Sequence, residues 1–259
     1  MLSIWPAGWS RQARSSATML SASLLLLLIL WLIPIPLAWA PDPIGNNAQL
    51  FAEGTRVTVQ LTVVSGLIGV VLGVMAALGK VSRFAPLRWI AGFYIWVMRG
   101  TPLLVQVLFV YFALPEVHPL LRMNEFTAAC VALALNVGAY NAEAIRSGLL
   151  AVPKGQIEAA RSLGLNRWYT FIDVTFPQAF KISLPPLVNN IVALLKDSSL
   201  AFTIGVVELT NAGSQVKSTS FQAVPVFIAT AVIYLVLTTV MTQISDAVER
   251  RFDIEGKLG

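Results

Sequence analysis

Residues 156–178, QIEAARSLGLNRWYTFIDVTFPQ, decide what kind of protein this chain is. They hold an acid, two arginines, a glycine, an aspartate and a proline in a chain that is otherwise mostly apolar. Charged residues between long hydrophobic segments are typical of a loop that leaves the membrane. The position and local structure of this loop therefore bear directly on what the protein does.

The composition indicates an integral membrane protein. Of the 259 residues 56% are hydrophobic and only 12% are charged, whereas a soluble domain has about 25% charged residues. The net charge is +5, but the basic residues are not clustered among aromatic ones, so we expect basic loops and no nucleic-acid partner. The single cysteine, Cys130, and the single histidine, His118, predict no metal site.

Hydropathy predicts an all-α polytopic protein with six transmembrane helices. They lie at about 20–40, 57–79, 91–113, 126–145, 184–206 and 223–245. The first span ends in Ala38-Trp39-Ala40, so it resembles a cleavable signal peptide as well as an anchor. Pro41 is a poor residue for a cleavage site, and we therefore expect an uncleaved anchor.

The lysines and arginines predict that both termini are cytoplasmic. With the N-terminus inside, the outer pieces carry Arg56, Arg122 and Lys217, and Lys196 lies within the membrane. Every other Lys and Arg, Arg99 included, is then assigned to the inner side. The cytoplasmic pieces are a tail at 1–19, a loop at about 146–183 and a tail at 246–259, all too short to fold alone.

Small residues recur along two of the predicted spans. In the second span Ser65, Gly69, Gly73 and Ala77 follow one another every four residues, and Ala134, Gly138 and Ala142 do so in the fourth. Small residues on one helix face let helix backbones approach closely in lipid. The pattern predicts a packed bundle, and it fits either intramolecular packing or a subunit interface.

The cytoplasmic loop predicts a short helix followed by a tight turn. Pro153 can start it, and Ile157, Ala160 and Leu163 would share one face. Gly164 stands where a left-handed residue would end it, and Pro177 predicts a later break. Such a helix could lie on the membrane surface, but its middle is Ala159 and Ala160, whose small side chains favour a closely docked partner.

The same residues resemble the cytoplasmic loop of bacterial ABC importer permeases. That family pattern is Glu-Ala-Ala, three residues, Gly, nine residues, then Ile-x-Leu-Pro, and it is matched by Glu158, Ala159, Ala160, Gly164 and Pro177. Val174 and Phe176 depart from it but remain bulky and apolar. Residues 98–115, 140–156 and 194–210 resemble polar amino acid permeases of the histidine and glutamine class, and the resemblance covers about 48–255.

The resemblance implies a permease transmembrane domain at 48–245, with the span at 20–40 as an addition to a five-helix core. It implies a second permease chain, identical or related, two ABC ATPase subunits, and a periplasmic or lipid-anchored binding protein for a polar amino acid. It also implies membrane lipid as surroundings and the bacterial cytoplasmic (inner) membrane as location. Residues 153–164 would be the coupling helix that seats in the ATPase.

This chain is expected to have no catalytic residue and no cofactor, with ATP and Mg bound by the partner ATPase. Its nearest approach to a phosphate loop is GVMAALGKV at 73–81. That stretch has one residue too many between its glycines and no Ser or Thr after the lysine.

The fifth span contains the candidate substrate path or gate, because ionisable groups inside a membrane are costly. The candidates are Asn189, Asn190, Lys196, Asp197 and Ser198. Lys196 and Asp197 fit a pore or gate role and a structural ion-pair role equally. Glu143 and Arg146, three residues apart, predict an intrahelical pair, and Arg99-Gly100-Thr101-Pro102 predicts a corner at the membrane entry.

Two other functions are compatible with the same sequence features. A membrane sensor or interaction subunit would share the fold without transport, although loss of the Glu-Ala-Ala loop would be expected there. A secondary transporter would need no ATPase, but those usually show ten or more helices or internal repeats. The sequence leaves open which amino acid is carried.

Overall fold

The computed structural model describes residues 11–252, with side chains from residue 14, and these residues form helices joined by short connections. The α-helices are α1 Arg11–Leu32, α2 Pro34–Ala38, α3 Ala48–Val81, α4 Ala85–Gly100, α5 Leu103–Leu108, α6 Leu114–Val117, α7 Glu125–Ala151, α8 Lys154–Ser162, α9 Arg167–Tyr169, α10 Phe176–Asp197, α11 Leu209–Ser220 and α12 Ala223–Arg251. Residues Phe109–Ala113 and Thr170–Thr175 are π-helical, and Ser198–Ile204 form a 3₁₀ helix.

Five helical runs in the described part are long and apolar enough to cross a membrane. They are Arg14–Leu32, Gly45–Val81, Glu125–Ala151, Arg167–Ile204 and Ala223–Arg251. The prediction of an all-α polytopic membrane protein is confirmed. A sixth crossing depends on how the bent pair α4 and α5–α6 is counted.

The predicted continuous third span at 91–113 is wrong. The chain bends by 111° between Ala85–Gly100 and Leu103–Val117. Pro102 has no N–H to continue the helix and holds the preceding residue, Thr101, in an extended conformation (φ −117°, ψ 148°). Arg99 consequently lies in the last turn of α4, next to this bend.

Other predicted boundaries shift. The first span begins at Arg11 and is interrupted at Ile33, where α2 begins with Pro34. Within the predicted cytoplasmic loop at 146–183, α7 continues to Ala151 and a new helical run begins at Arg167, so that residues 152–166, with α8, connect the two.

Pro177 does not break its helix, contrary to the prediction. The run from Arg167 continues past it to Ile204. The π-helical turn at Thr170–Thr175 directly precedes it, and the altered hydrogen bonding of such a turn accommodates a residue that lacks an N–H.

Helices α3 and α7 form the centre of the bundle. Ser65, Gly69, Gly73 and Ala77 are all buried. A Cβ atom on Gly69 would lie 2.3 Å from Val137 Cγ1, and one on Gly73 would lie 2.6 Å from Asn141 Cβ. The small residues of the two helices therefore meet each other within this chain, which is the intramolecular alternative.

The two ends of the described chain lie at the same end of the bundle as α8. Arg251 donates a hydrogen bond to the Ser16 hydroxyl, joining α12 to the start of α1. The rings of Phe180 and Phe252 lie 5.3 Å apart, which joins α12 to the early part of α10. Residues 1–10 and 253–259 of the two predicted tails lie outside the described residues.

Candidate functional site

The loop helix α8 has the geometry that its sequence predicted. Pro153 precedes its first residue, Lys154. At its other end Gly164 is left-handed (φ 85°). The Gly164 N–H donates to the Arg161 carbonyl and the Leu165 N–H to the Ala160 carbonyl, at 3.0 and 3.2 Å. This pair of bonds is a Schellman motif, which fixes the direction in which the chain leaves the helix.

One exposed face of α8 carries mostly small side chains. Glu158 and Ala159 are exposed, and so are Gly155 and Ser162 on the same side. Ala160, in contrast, is 5% exposed because α8 packs on the π-helical segment 170–175. The prediction that both alanines present themselves to a partner is therefore wrong for Ala160.

The apolar face predicted for α8 is also only partly correct. Ala160 is buried and Ile157 is half-buried, but Leu163 is 83% exposed. Leu163 is the C-cap residue of α8, so its side chain no longer follows the helical spacing. Leu163 and the exposed Trp168 instead flank the exit of the loop.

An open, largely apolar cavity that contains one lysine lies at the far end of the helical run that begins after α8. Its volume is about 300 Å³, and it is lined by Lys196, Ser199, Thr210, Phe227, Thr230, Ala231 and Tyr234. Lys196 is the charged residue among these lining residues. Ser199, Thr210 and Tyr234 also line it, although the Tyr234 hydroxyl already donates to Glu208.

A fully buried carboxylate braces one wall of this cavity. The backbone N–H groups of Thr210 and Asn211 each donate to Glu208 at 2.8 Å, and the Tyr234 hydroxyl donates at 2.9 Å. Burial raises the pKa of the Glu208 carboxyl, while these three donors lower it. Glu208 caps α11 and fixes the position of Tyr234.

The candidate residues of the fifth span differ in their exposure and in whether they are already hydrogen-bonded within the chain. Among residues 14–252 no ion pair joins Lys196 or Asp197 to another side chain. Ser198 is buried and donates to the Leu195 carbonyl at 2.8 Å. Asn190 donates to Asn141 of α7 at 2.9 Å, whereas Asn189 is exposed.

The corner after α4 is held by two buried amides. Gln106 Nε2 donates to the carbonyls of Met98 and Thr101, at 2.8 and 3.1 Å. Asn136 of α7 donates to Gln106 Oε1 at 2.9 Å. These bonds satisfy carbonyl groups that the end of α4 leaves without helical partners.

Charged groups lie next to this corner. The Arg99 guanidinium carbon is 5.3 Å from the centre of the Tyr140 ring. Glu143 and Arg146 of α7 form the predicted intrahelical ion pair.

Several of these residues were not found from the sequence. Gln106, Asn136, Glu208 and Tyr234 are far apart in the chain, and only the fold brings them into two networks. A signal existed for Glu208 and Gln106, because each is a polar residue within an apolar stretch and such residues need a partner.

Comparison with known proteins gives a consistent result. Residues 69–254 match the family described as binding-protein-dependent transport system inner membrane component. Helices α1 and α2 lie outside the matched residues.

Individual relatives are similar over most of their length. The chain is 41% identical to the arginine transport system permease protein ArtQ of Bacillus subtilis, over 77% of this chain and 90% of that one. It is 40% identical to the glutamine transport system permease protein GlnP of Escherichia coli, over 79% and 94%. The crystal structure of an amino acid ABC transporter with histidines has a TM-score of 0.74 and 40% identity, covering 78% of this chain and 94% of that one.

Proposed function

Because the chain belongs to the family of binding-protein-dependent transport system inner membrane components, we propose that it forms half of the pore of an importer for polar amino acids and is driven by a separate ATPase. It is a permease component of an amino acid ABC importer and a multi-pass protein of the bacterial inner membrane. Our proposal goes beyond this statement in three respects, which are the coupling loop, the substrate path and the subunit composition.

The observation that carries the proposal is the exposed face of α8. Glu158 and Ala159 leave a smooth surface with one acidic group, and Gly164 fixes how the chain leaves it. A partner can approach the backbone closely there, and Glu158 can accept hydrogen bonds from basic side chains or backbone N–H groups. Glu158, Ala159, Gly164 and Pro177 are thus proposed as coupling residues, with Ala160 acting inside the chain by seating α8 on its neighbour.

A continuous helical run connects this face to the cavity. It extends from Arg167 to Ile204, so α8 lies near its beginning and Lys196 near its end. ATP binding by the partner would move α8, and the run would carry that movement to the walls of the cavity. Transport by alternating access requires two such positions of the loop.

The proposed substrate path includes the Lys196 cavity. Lys196 and Asp197 have no ion-pair partner within residues 14–252, which favours the pore role over a structural pair. Lys196 would attract the carboxylate of an amino acid, and Asp197, which is not among the residues that line the cavity, is proposed as a gate residue of the same segment. Asn189, Asn190 and Ser198 make the same segment polar.

The proposed complex contains two permease chains, identical or related, two ATPase subunits that bind ATP and Mg, and a substrate-binding protein. The chain itself would not hydrolyse ATP. Residues 11–14 and 250–252 lie at the same end as α8, and the basic residues of this end support a cytoplasmic position for both termini.

The test is an affinity purification of the tagged chain in mild detergent from its own bacterium, followed by mass spectrometry. Ala159→Arg would place a large charge on the docking face. Ala223→Arg is the matched control, since Ala223 is also an exposed alanine but begins α12 at the opposite end. We expect an ATPase subunit with wild type and with Ala223→Arg, and its loss with Ala159→Arg. Recovery of the chain alone in all three cases would overturn the proposal.

The same preparation separates the other functions. A second permease chain among the recovered proteins would establish a heterodimeric pore. An ATPase that copurifies without any ATP-dependent uptake in proteoliposomes would favour a sensor subunit. Uptake that follows an ion gradient and ignores ATP would favour a secondary transporter.

A further inference from the structure

We propose that Arg99 lies on the transport path and pairs with the carboxylate of the permeating amino acid, which makes it a specificity-determining residue. This inference rests on the proposed transport function. It concerns the corner after α4, which is formed by Arg99, Gly100, Thr101 and Pro102, and not the Lys196 cavity.

The corner is open on its outer face. Arg99, Gly100, Thr101 and Pro102 are all exposed, and a Cβ atom on Gly100 would meet nothing within 4 Å. The corner also interrupts a pair of helices that together are long and apolar enough to cross a membrane. A guanidinium in this position is within the membrane region and is not covered by its own chain.

The guanidinium of Arg99 is not used by the fold. Its guanidinium carbon lies 5.3 Å from the centre of the Tyr140 ring, and among residues 14–252 the guanidinium forms no hydrogen bond or ion pair. The carbonyls of the corner are satisfied by Gln106 and Asn136, so Arg99 is not needed there as a donor. Its N–H groups remain available to a bidentate acceptor.

The charge of Arg99 is only partly compensated within residues 14–252, where Glu143 is close enough to interact with it electrostatically. The neighbouring carboxylate, Glu143, is committed to Arg146 in a two-bond pair. Lys80 adds another positive charge on the same side, since its Nζ lies against Gly92 of α4. This region therefore has an excess of positive charge around a single carboxylate.

A charged group at this depth needs water or an anion, because exposure to lipid tails is costly. Every α-amino acid carries a carboxylate, whichever side chain it has. An unpaired guanidinium held in place by an aromatic ring and a rigid corner would select for that group. It would therefore discriminate amino acids from amines without choosing among amino acids.

The test uses the complete transporter in proteoliposomes with Cys130→Ala as background. Arg99→Cys is treated with the membrane-impermeant anion 2-sulfonatoethyl methanethiosulfonate. Phe93→Cys is the matched control, because Phe93 is a 66% exposed residue of the same helix. We expect Arg99→Cys to react about tenfold faster than Phe93→Cys, since water reaches only the path. We also expect the amino acid that wild type takes up best from a panel of the common amino acids to protect Gly100→Cys, which keeps Arg99 at the same corner, and its decarboxylated amine not to protect it.

A second measurement covers the chance that one cysteine variant folds poorly. Gly100→Cys, at the same corner, should react as Arg99→Cys does. Arg99→Gln should lower amino acid uptake about tenfold to a hundredfold with ATPase copurification unchanged, and Arg99→Lys should recover part of it. The inference would be overturned by any one of three results with wild-type transport intact. These are unreactive thiols at both positions, protection by the amine, and unchanged uptake in Arg99→Gln. Failure of wild type to take up any amino acid would overturn the proposed function and this inference together.

Discussion

Asn136 Nδ2 donates a hydrogen bond to Gln106 Oε1 over 2.9 Å, and it thereby ties α7 to the far side of the corner that follows α4. Gln106 in turn donates to the carbonyls of Met98 and Thr101. Both amide side chains are 8% exposed. The bend is therefore a hydrogen-bonded structure with its own buried donors and acceptors.

Loss of the Gln106 amide should destabilise this corner. Gln106→Met keeps a similar length but leaves the Met98 and Thr101 carbonyls short of donors, at a cost of about 1–3 kcal/mol. We expect a lower melting temperature of the purified chain in detergent. Gln215→Met removes one hydrogen bond from an exposed glutamine and should change the melting temperature little. Equal values for the two variants would contradict the role of Gln106.

Addition of one methyl group at Gly73 should disturb the α3–α7 contact. The new Cβ would lie 2.6 Å from Asn141 Cβ and 3.2 Å from the Ala142 backbone nitrogen, and such overpacking costs about 1–3 kcal/mol. Gly100→Ala is the control, because nothing lies within 4 Å of its Cβ position. The check is the fraction of monodisperse protein after heating, and a Gly73→Ala variant as stable as Gly100→Ala would contradict the close packing.

The exit of α8 should depend on glycine. Gly164→Ala must hold a side chain at φ 85°, which costs about 1–2 kcal/mol. Gly155→Ala also adds a methyl group in open space but within a helix, where alanine is favoured by about 1 kcal/mol. Hydrogen exchange of the α8 amides should therefore become faster in the first variant and slower in the second. The same change in both would argue against a left-handed turn.

The buried Glu208 should make stability depend on pH. Burial raises the pKa of this carboxyl, so folding favours its protonated form. That contribution is fully present below the ordinary carboxyl pKa of about 4.3 and is lost as the pH rises through the higher pKa of the folded chain. Glu208→Gln does not titrate and serves as the reference.

The melting temperature of wild type minus that of Glu208→Gln should thus fall as the pH is raised from about 4 to 8. A constant difference between wild type and Glu208→Gln across the range would contradict the raised pKa.

The loop helix α8 shows which structural features can be predicted from residues that are close together in the sequence. Pro153 and Gly164 predicted the bounds of α8 because each fixes the backbone by its own covalent structure. Hydropathy likewise predicted where the membrane-spanning runs lie, since a helix in lipid needs an apolar stretch of about 20 residues. The spacing of Gly69, Gly73 and Gly138 indicated a close helix contact but not which helices make it.

Predictions were wrong where the effect of a single residue depended on the conformation of the adjoining segment. Pro177 was expected to end a helix, but the preceding π-helical turn accommodates it. Leu163 was placed on the packed face of α8 by its spacing, yet the helix ends just before it. Hydropathy predicted a single span at 91–113, because it measures composition and is insensitive to the direction of the chain, although Arg99-Gly100-Thr101-Pro102 had predicted a corner there.

The sequence by itself determined the membrane-spanning class, the family resemblance of the loop and the bounds of α8, because these follow from composition and from the backbone preferences of single residues. Only the tertiary structure decided that Gln106 and Asn136 hold the corner, that Glu208 braces Tyr234, and that Arg99 and Lys196 have no ion-pair partner within residues 14–252. Whether a polar side chain is paired depends on helices that are distant in the chain, and their packing is set by the whole bundle.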